Sequence, residues 1–513
     1  MANFLTIYIT LLCLLCTYPS IINAASTVDS LVACLQRNKV LNYTTPSSST
    51  SFNAVLDFSL QNLRFTEAGV SKPGSIILPS TTKEVQSAWA CVRDGGWALR
   101  VRSGGHSYEG LSSTASTPFV IIDLMNMHAI TVNVAKKFVW VESGIRLGEL
   151  YFAIASASSN LLGLSAGTCA TIGIGGHVMG GGYGLLSRKY GVAADNLLEA
   201  QVITANGTLI KKVSTSDPDL FWALRGGGGG AWGIVVAWKL KLVSVPSTVT
   251  FFNLRRTGKQ AITDLVFKWQ SVAPVADPEL FIAVYMQAVI SSGGVADMGA
   301  TFYGQYWGTT NQTVALFSSI YPELGLTASD CKQGNWIQAV ASVAWLAEPE
   351  ALLNRQQTSR SFFKAKSDYV STALTKQALA GAYDIMMNNT KGWMIFEPYG
   401  GLMSKIRSDE IAFPHRGGNL FMIQYQATWA DDTDSPDNEL IAWLRGLYSY
   451  MAPLVTYTPS RSTYVNYIDL DVGDSVSAGK SYFGSNFAKL VKIKARFDPS
   501  NIFNQPQSVP VSM

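Results

Sequence analysis

Charge is scarce in this chain. Only 14% of its 513 residues are Asp, Glu, Lys or Arg, and a dispersed net charge of +4 excludes both a basic nucleic-acid-binding surface and a disordered chain. Histidine is scarcer still, with only His106, His128, His177 and His415, and past residue 25 no two of the four remaining cysteines form a CxxC pair. A multi-histidine or paired-cysteine metal site is thereby excluded, and no metal is expected. Past residue 25 no apolar run reaches the roughly 20 residues of a membrane span without polar or glycine interruption. Internal repeats and low-complexity segments are also missing.

What remains is rich in core-forming residues: 48% hydrophobic, with 23 Phe, 21 Tyr and 13 Trp beside 44 Gly. At roughly 100–200 residues per domain the length accommodates two or three domains. Residues 1–25 carry no charge, are apolar through their centre and end in the small residues Ala24 and Ala25, a pattern read as a secretory signal peptide. Asn42, Asn206, Asn311 and Asn388 each open an Asn-x-Ser/Thr sequon, so glycosylation is expected on that route. Removal of the signal leaves Cys34, Cys91, Cys169 and Cys331, which suggests a disulfide and one or two thiols with another task.

Residues 80–92 have helical character, with Thr81 or Thr82 as cap, followed by a strand over 97–102 and a glycine turn. Further strands are expected over 119–122, 138–141, 198–204 and 232–242. From about residue 246 the texture changes to amphipathic segments such as 333–348 and alternating runs such as 420–429. The tail, 481–496, reads as a helix ending in Asp498-Pro499, which turns the terminus back onto the first part. The reading is an α+β chain with a signal peptide (1–25), a first domain (26–245), a second (246–459) and a return to the first (460–513).

Glycine is densest over 173–184 and again over 226–230. Glycine turns expose backbone amides and let a phosphate approach closely. Neither run fits the GxGxxG turn with a following acidic residue of the doubly wound dinucleotide fold, so a nucleotide site of another architecture is favoured. Gly163-Leu164-Ser165-Ala166-Gly167 also matches the GxSxG nucleophile elbow. That elbow needs a helix directly after the serine, and the glycine-rich stretch there is a poor helix former.

Arg102-Ser103-Gly104-Gly105-His106-Ser107-Tyr108-Glu109-Gly110 and the stretch from Ser165 through Cys169 to His177 resemble the two flavin-attachment motifs of berberine bridge enzyme-like proteins. Arg188-Lys189-Tyr190-Gly191, Pro398-Tyr399-Gly400-Gly401, residues 419–425, Tyr464-Val465-Asn466-Tyr467, Asp469-Leu470-Asp471 and Phe497-Asp498-Pro499 extend the resemblance, in family order, over essentially the whole mature chain. It implies the vanillyl alcohol oxidase type of fold: a PCMH-type FAD-binding domain built from both chain ends, and a substrate domain with an antiparallel sheet backed by helices. It further implies FAD bonded at its 8α-methyl carbon to His106 and at C6 to Cys169, and a Cys34–Cys91 disulfide. Arg102 to Ser107 would wrap the pyrophosphate, and Gly173, Gly175, Gly176, His177 and Gly181 would continue around the flavin.

Such a tether prevents loss of the cofactor outside the cell and strengthens it as a hydride acceptor. The protein then has to place a substrate C–H over flavin N5 and remove a proton. By resemblance the candidates are Tyr108, Tyr190, Gln424, Tyr464 and Tyr467, with Tyr467 at the base position of related cyclases. Where alcohol-oxidising members carry lysine, this chain has Met422, whose thioether offers an apolar wall suited to aromatic or prenylated substrates. Ile172 matches the position beside the oxygen-reactive flavin C4a, and its bulk predicts slow reoxidation by O₂.

The expected activity is oxidation of a phenolic, alkaloid or prenylated aromatic small molecule in specialised metabolism, with oxidative cyclisation as an extension and O₂ or another acceptor taking the electrons. A carbohydrate oxidase and a redox-neutral, Diels-Alderase-like cyclase with structural FAD are the alternatives. A non-enzymatic binding protein is a third class. A secreted monomer in the apoplast or a vacuole or vesicle, with no nucleic-acid partner, is expected.

Overall fold

In the computed structural model, residues 27–291, 293–356, 360–430, 437–455 and 461–513 are described. The expected signal peptide lies outside them. The helix Thr82–Asp94 begins where Thr81 accepts the Glu84 N–H, a side-chain cap that satisfies an otherwise orphaned donor. It packs on the strand pair Ala98–Arg102 and Phe119–Asp123, which run parallel. Phe119–Asp123 is buried along its whole length, as befits a strand covered on both faces. Cys34 and Cys91 are joined by a disulfide that ties the helix Val28–Arg37 to Thr82–Asp94.

A second sheet of this region is antiparallel, in the order Ile130–Asn133, Phe138–Glu142, Ile234–Lys241, Leu197–Ile203, Leu209–Ile210. The segment 173–184 departs from its sequence reading: Ile174–Met179 is helical, because Ile174 and Val178 are fully buried in the core and tertiary packing overrides low glycine propensity.

Residues 249–429 supply a seven-stranded antiparallel sheet, in the order Cys331–Gly334, Val249–Thr257, Ala296–Tyr306, Leu280–Ile290, Gly392–Pro398, Phe421–Trp429, Phe362–Val370. The two-residue period of its strands divides its side chains cleanly. Ile282, Val284, Phe302, Phe396 and Ile423 form a core with the helices Lys259–Val272, Lys376–Met387 and Asp437–Val455. Phe281, Ala283, Tyr303, Tyr369 and Met422 enter the core shared with the first region.

The tail, expected as one helix, is two, Ser475–Phe483 and Phe487–Phe497. The chain breaks between them at Gly484, whose φ is +49°. Buried Lys494 donates to Asp498 at 2.7 Å, to the Ala231 carbonyl at 2.9 Å and to the Phe503 carbonyl at 2.6 Å, which returns the C-terminus to the first region.

Candidate active site

Between the two small sheets and the large one lies a cavity of about 580 Å³, within the range of small-molecule sites. One end is walled by 103–107, Gly173, Gly175, Gly176, Gly229, Gly230 and the returning Phe503, Asn504 and Gln505. Gly104 and Gly173 touch backbone to backbone: a Cβ on either would lie 2.2 Å from the other's nitrogen. At Gly176 and Gly230 a Cβ would meet nothing within 4 Å, so there the wall is set back from open space. The N–H groups of Gly105, His106 and Ser107 donate to no acceptor among the described residues, and Gln505 Oε1 is buried and unpartnered. Successive free amides with a left-handed Gly105 (φ +72°) make an anion-binding concavity, so these residues fit a nucleotide.

Midway, the Thr171 hydroxyl lies 2.9 Å from His106 Nε2 and 3.7 Å from Cys169 Sγ, so one side chain bridges both expected attachment residues. Burial, reinforced by the Arg146 charge, lowers the His106 pKa to about 3. The imidazole is therefore neutral and nucleophilic. Cys169 is exposed, and Ile172 is on the wall beside it.

The other end belongs to the large sheet: Phe363, Trp393, Glu397, Gln424, Gln426 and Thr428, joined by Tyr108, Tyr464 and Tyr467. The Tyr108 and Tyr467 rings stack at 5.3 Å, and Gln424 donates to the Tyr108 hydroxyl at 2.7 Å. Tyr467 donates to Glu397 Oε2 at 3.4 Å. Tyr464 accepts the N–H groups of Gly182 and Tyr183, each at 3.1 Å, and the Asn466 amide at 3.0 Å.

Residues 73–212 match the family described as "FAD binding domain" and residues 463–510 the family "Berberine and berberine like". The chain is 39% identical to a reticuline oxidase of Eschscholzia californica, over 96% of this chain and 93% of that one. It is 40% identical to a monolignol oxidoreductase of Arabidopsis thaliana, over 94% of each. The chain belongs to the berberine bridge enzyme-like family. The solved structure of berberine bridge enzyme from Eschscholzia californica superposes with a TM-score of 0.90 at 39% identity, covering 94% of this chain and 99% of that one. The protein is accordingly an FAD-linked oxidoreductase with the two-part α+β fold of that family.

The structure gathers most of the expected berberine bridge enzyme-like site around one cavity, but not all of it. Arg102 points away: its guanidinium is fully buried, bound to Asp123 at 2.6 Å and to the Val55 and Leu56 carbonyls, and cradles no ligand. Tyr190 is off the cavity, donating to the Ser244 carbonyl at 3.1 Å. Gly181 (φ +108°) packs against Phe413 rather than the cavity. Met422 is fully buried beside Tyr369 and makes no wall. His177 lines the cavity, but its Nε2 accepts the Gly167 N–H at 2.8 Å, which fixes the backbone ahead of Cys169. Ser165 is fully buried and donates to the Gly191 carbonyl at 2.5 Å, which leaves no nucleophile elbow.

The tyrosine base meets a physical obstacle. Burial holds Tyr108 and Tyr467 well above the ordinary phenol range and raises Tyr464 to about 12. Sequence reasoning missed Thr171, Trp393, Gln426, Thr428 and above all Glu397, whose carboxyl burial pushes up to about 7. A lone carboxylate in the apolar strand Gly392–Pro398, immediately before the Pro398-Tyr399-Gly400-Gly401 signature, was the available signal.

Proposed function

We propose that this chain is a secreted oxidoreductase of specialised metabolism that takes a hydride from a phenolic, alkaloid or prenylated aromatic substrate, with FAD bonded to both His106 and Cys169. The observation that carries the reading is the single cavity running from the glycine-lined amides, past His106 and Cys169, to an aromatic-walled pocket on the large sheet. Bound FAD supplies a two-electron acceptor for a substrate hydride. The amides of Gly105 to Ser107 would hold its pyrophosphate. Thr171 holds His106 through Nε2 and would orient its ring for one covalent bond, while Cys169 Sγ would make the second. Tyr108, Tyr467 and Trp393 would stack on an aromatic substrate and exclude water.

Entry into the secretory route is supported by the Cys34–Cys91 disulfide, which persists in oxidising compartments. The four sequon asparagines, Asn42, Asn206, Asn311 and Asn388, are all exposed, as glycan acceptors must be. Two relatives named a reticuline oxidase and a monolignol oxidoreductase support a phenolic or alkaloid substrate, while a similar solved structure named a glucose oxidase variant makes sugars the control that the test must include.

Anaerobic mixing with phenols, aromatic amines, prenylated aromatics and sugars, followed by flavin absorbance, tests the reading. Bleaching by an aromatic substrate is expected. Bleaching by sugars alone, or product formation without bleaching, would overturn it in favour of a carbohydrate oxidase or a redox-neutral cyclase.

A further inference from the structure

Glu397 is the sole carboxylate among the residues lining the cavity. It sits on the strand Gly392–Pro398, directly opposite Met422 across the antiparallel pairing, so its neighbour in register brings a thioether and no charge. The titratable groups facing it are all phenols. Tyr467 donates a hydrogen bond, and Tyr108, Tyr183, Tyr303, Tyr399 and Tyr464 lie close enough to feel its charge. The nearest cations act one layer out, Arg188 on Tyr183 and Arg416 on Tyr399. The base candidates Tyr108, Tyr464 and Tyr467 thus have no cation beside them to ionise them, whereas Glu397 needs none.

We propose that Glu397 is the general base of the proposed oxidation, taking the proton from the hydroxyl of a phenolic substrate. The assignment rests on the oxidoreductase reading above. In the step, the phenolic O–H bond breaks and its proton moves to a Glu397 oxygen. The benzylic C–H bond of a para-alkyl phenol breaks with its electron pair, and that hydride reduces the oxidised flavin. The ring electrons shift to give a quinone methide, so atoms and charge balance. A carboxyl pushed up to about 7 is matched to a phenol, which ionises at about 10, and a base near the working pH is the efficient one. Tyr467 is a positioning residue whose hydrogen bond aims the carboxylate.

The test uses the flavin-loaded full chain as wild type, Glu397→Gln, Glu397→Asp and Tyr467→Phe. In anaerobic rapid mixing with para-alkyl phenols, the wild-type reduction rate rises with pH through one ionisation near about 7. Glu397→Gln loses that rise and slows by about 100-fold or more. Glu397→Asp and Tyr467→Phe keep the rise. A Glu397→Gln variant with the wild-type rate and pH profile overturns the assignment.

A readout without turnover uses 4-nitrophenol, which has no benzylic hydrogen and absorbs differently as phenolate. Phenolate absorbance on binding to wild type and the neutral-phenol spectrum in Glu397→Gln are expected, and identical spectra overturn the assignment. If no phenol bleaches the wild-type flavin, the phenolic-substrate reading fails, while the 4-nitrophenol spectra still decide the proton acceptor.

Discussion

The two ends of the cavity are built from different materials. The glycine-lined end is contiguous backbone, with Gly104 against Gly173 and the free amides of 105–107. The sheet end is side chains from alternate positions on three neighbouring strands, Phe362–Val370, Gly392–Pro398 and Phe421–Trp429: Phe363, Trp393, Glu397, Gln424, Gln426 and Thr428. Where backbone meets backbone, at Gly104 and Gly173, the wall admits no Cβ, whereas side-chain walls can change residue by residue without disturbing the fold. Cofactor retention and substrate choice are therefore separable properties of this chain.

Gly104→Ala gives the largest effect. Its Cβ would lie 2.2 Å from the Gly173 nitrogen, with backbone rather than a flexible side chain in the way, at a cost of about 3 kcal/mol or more. Thermal unfolding and flavin content should both collapse. A folded, yellow variant would break the comparison.

The next effect falls on the clasp joining the two ends. Lys364 bonds Glu109 and, at 2.6 Å, Asp469, while Lys366 bonds Asp469 and Asp471 at 2.7 Å each; both lysines and Glu109 and Asp469 are buried. Glu109 lies three residues past His106, and the lysines lie on the large sheet. Lys364→Met strands buried carboxylates and should cost about 3–5 kcal/mol. Denaturant midpoints check this, with Glu109→Gln in the same chain recovering part of the loss.

At the sheet end, Glu397→Gln should alter stability in a pH-dependent way. Burial raises the folded pKa from 4.5 to about 7, so the native carboxyl favours folding below the unfolded value and that advantage is lost as pH rises through about 7. The variant should match wild type in acid and exceed it in alkali by on the order of 1–3 kcal/mol, as thermal midpoints across pH will show. The smallest effect is Thr428→Val, half-buried on the wall. Stability should hold within about 0.5 kcal/mol and flavin content should be unchanged, with only substrate KM altered.

The same difference governs what was legible in the sequence. The glycine-lined end is contiguous, so its motifs stand out at 102–107 and 165–177, and Thr81 marks where the helix Thr82–Asp94 starts. Arg102 belongs to the same motif yet turns inward, because its partner Asp123 lies on the neighbouring strand, a pairing that spacing does not reveal. The sheet end is assembled by topology. Met422 and Gln424 share a face by strand period, but only packing tells that Met422 is sealed beside Tyr369 while Gln424 reaches the cavity. Glu397 escaped notice because its strand joins the others only through long-range pairing.

The central claim is that the cavity holds FAD through two covalent bonds, and acid precipitation of the purified protein tests it most directly. Wild type, His106→Ala, Cys169→Ala and the double variant would be precipitated and the absorbance of pellet and supernatant compared. Yellow colour retained in the wild-type pellet and in each single variant, and released only from the double variant, is the predicted result. Flavin released from the wild-type protein, or a colourless protein after expression with ample FAD, would contradict the account.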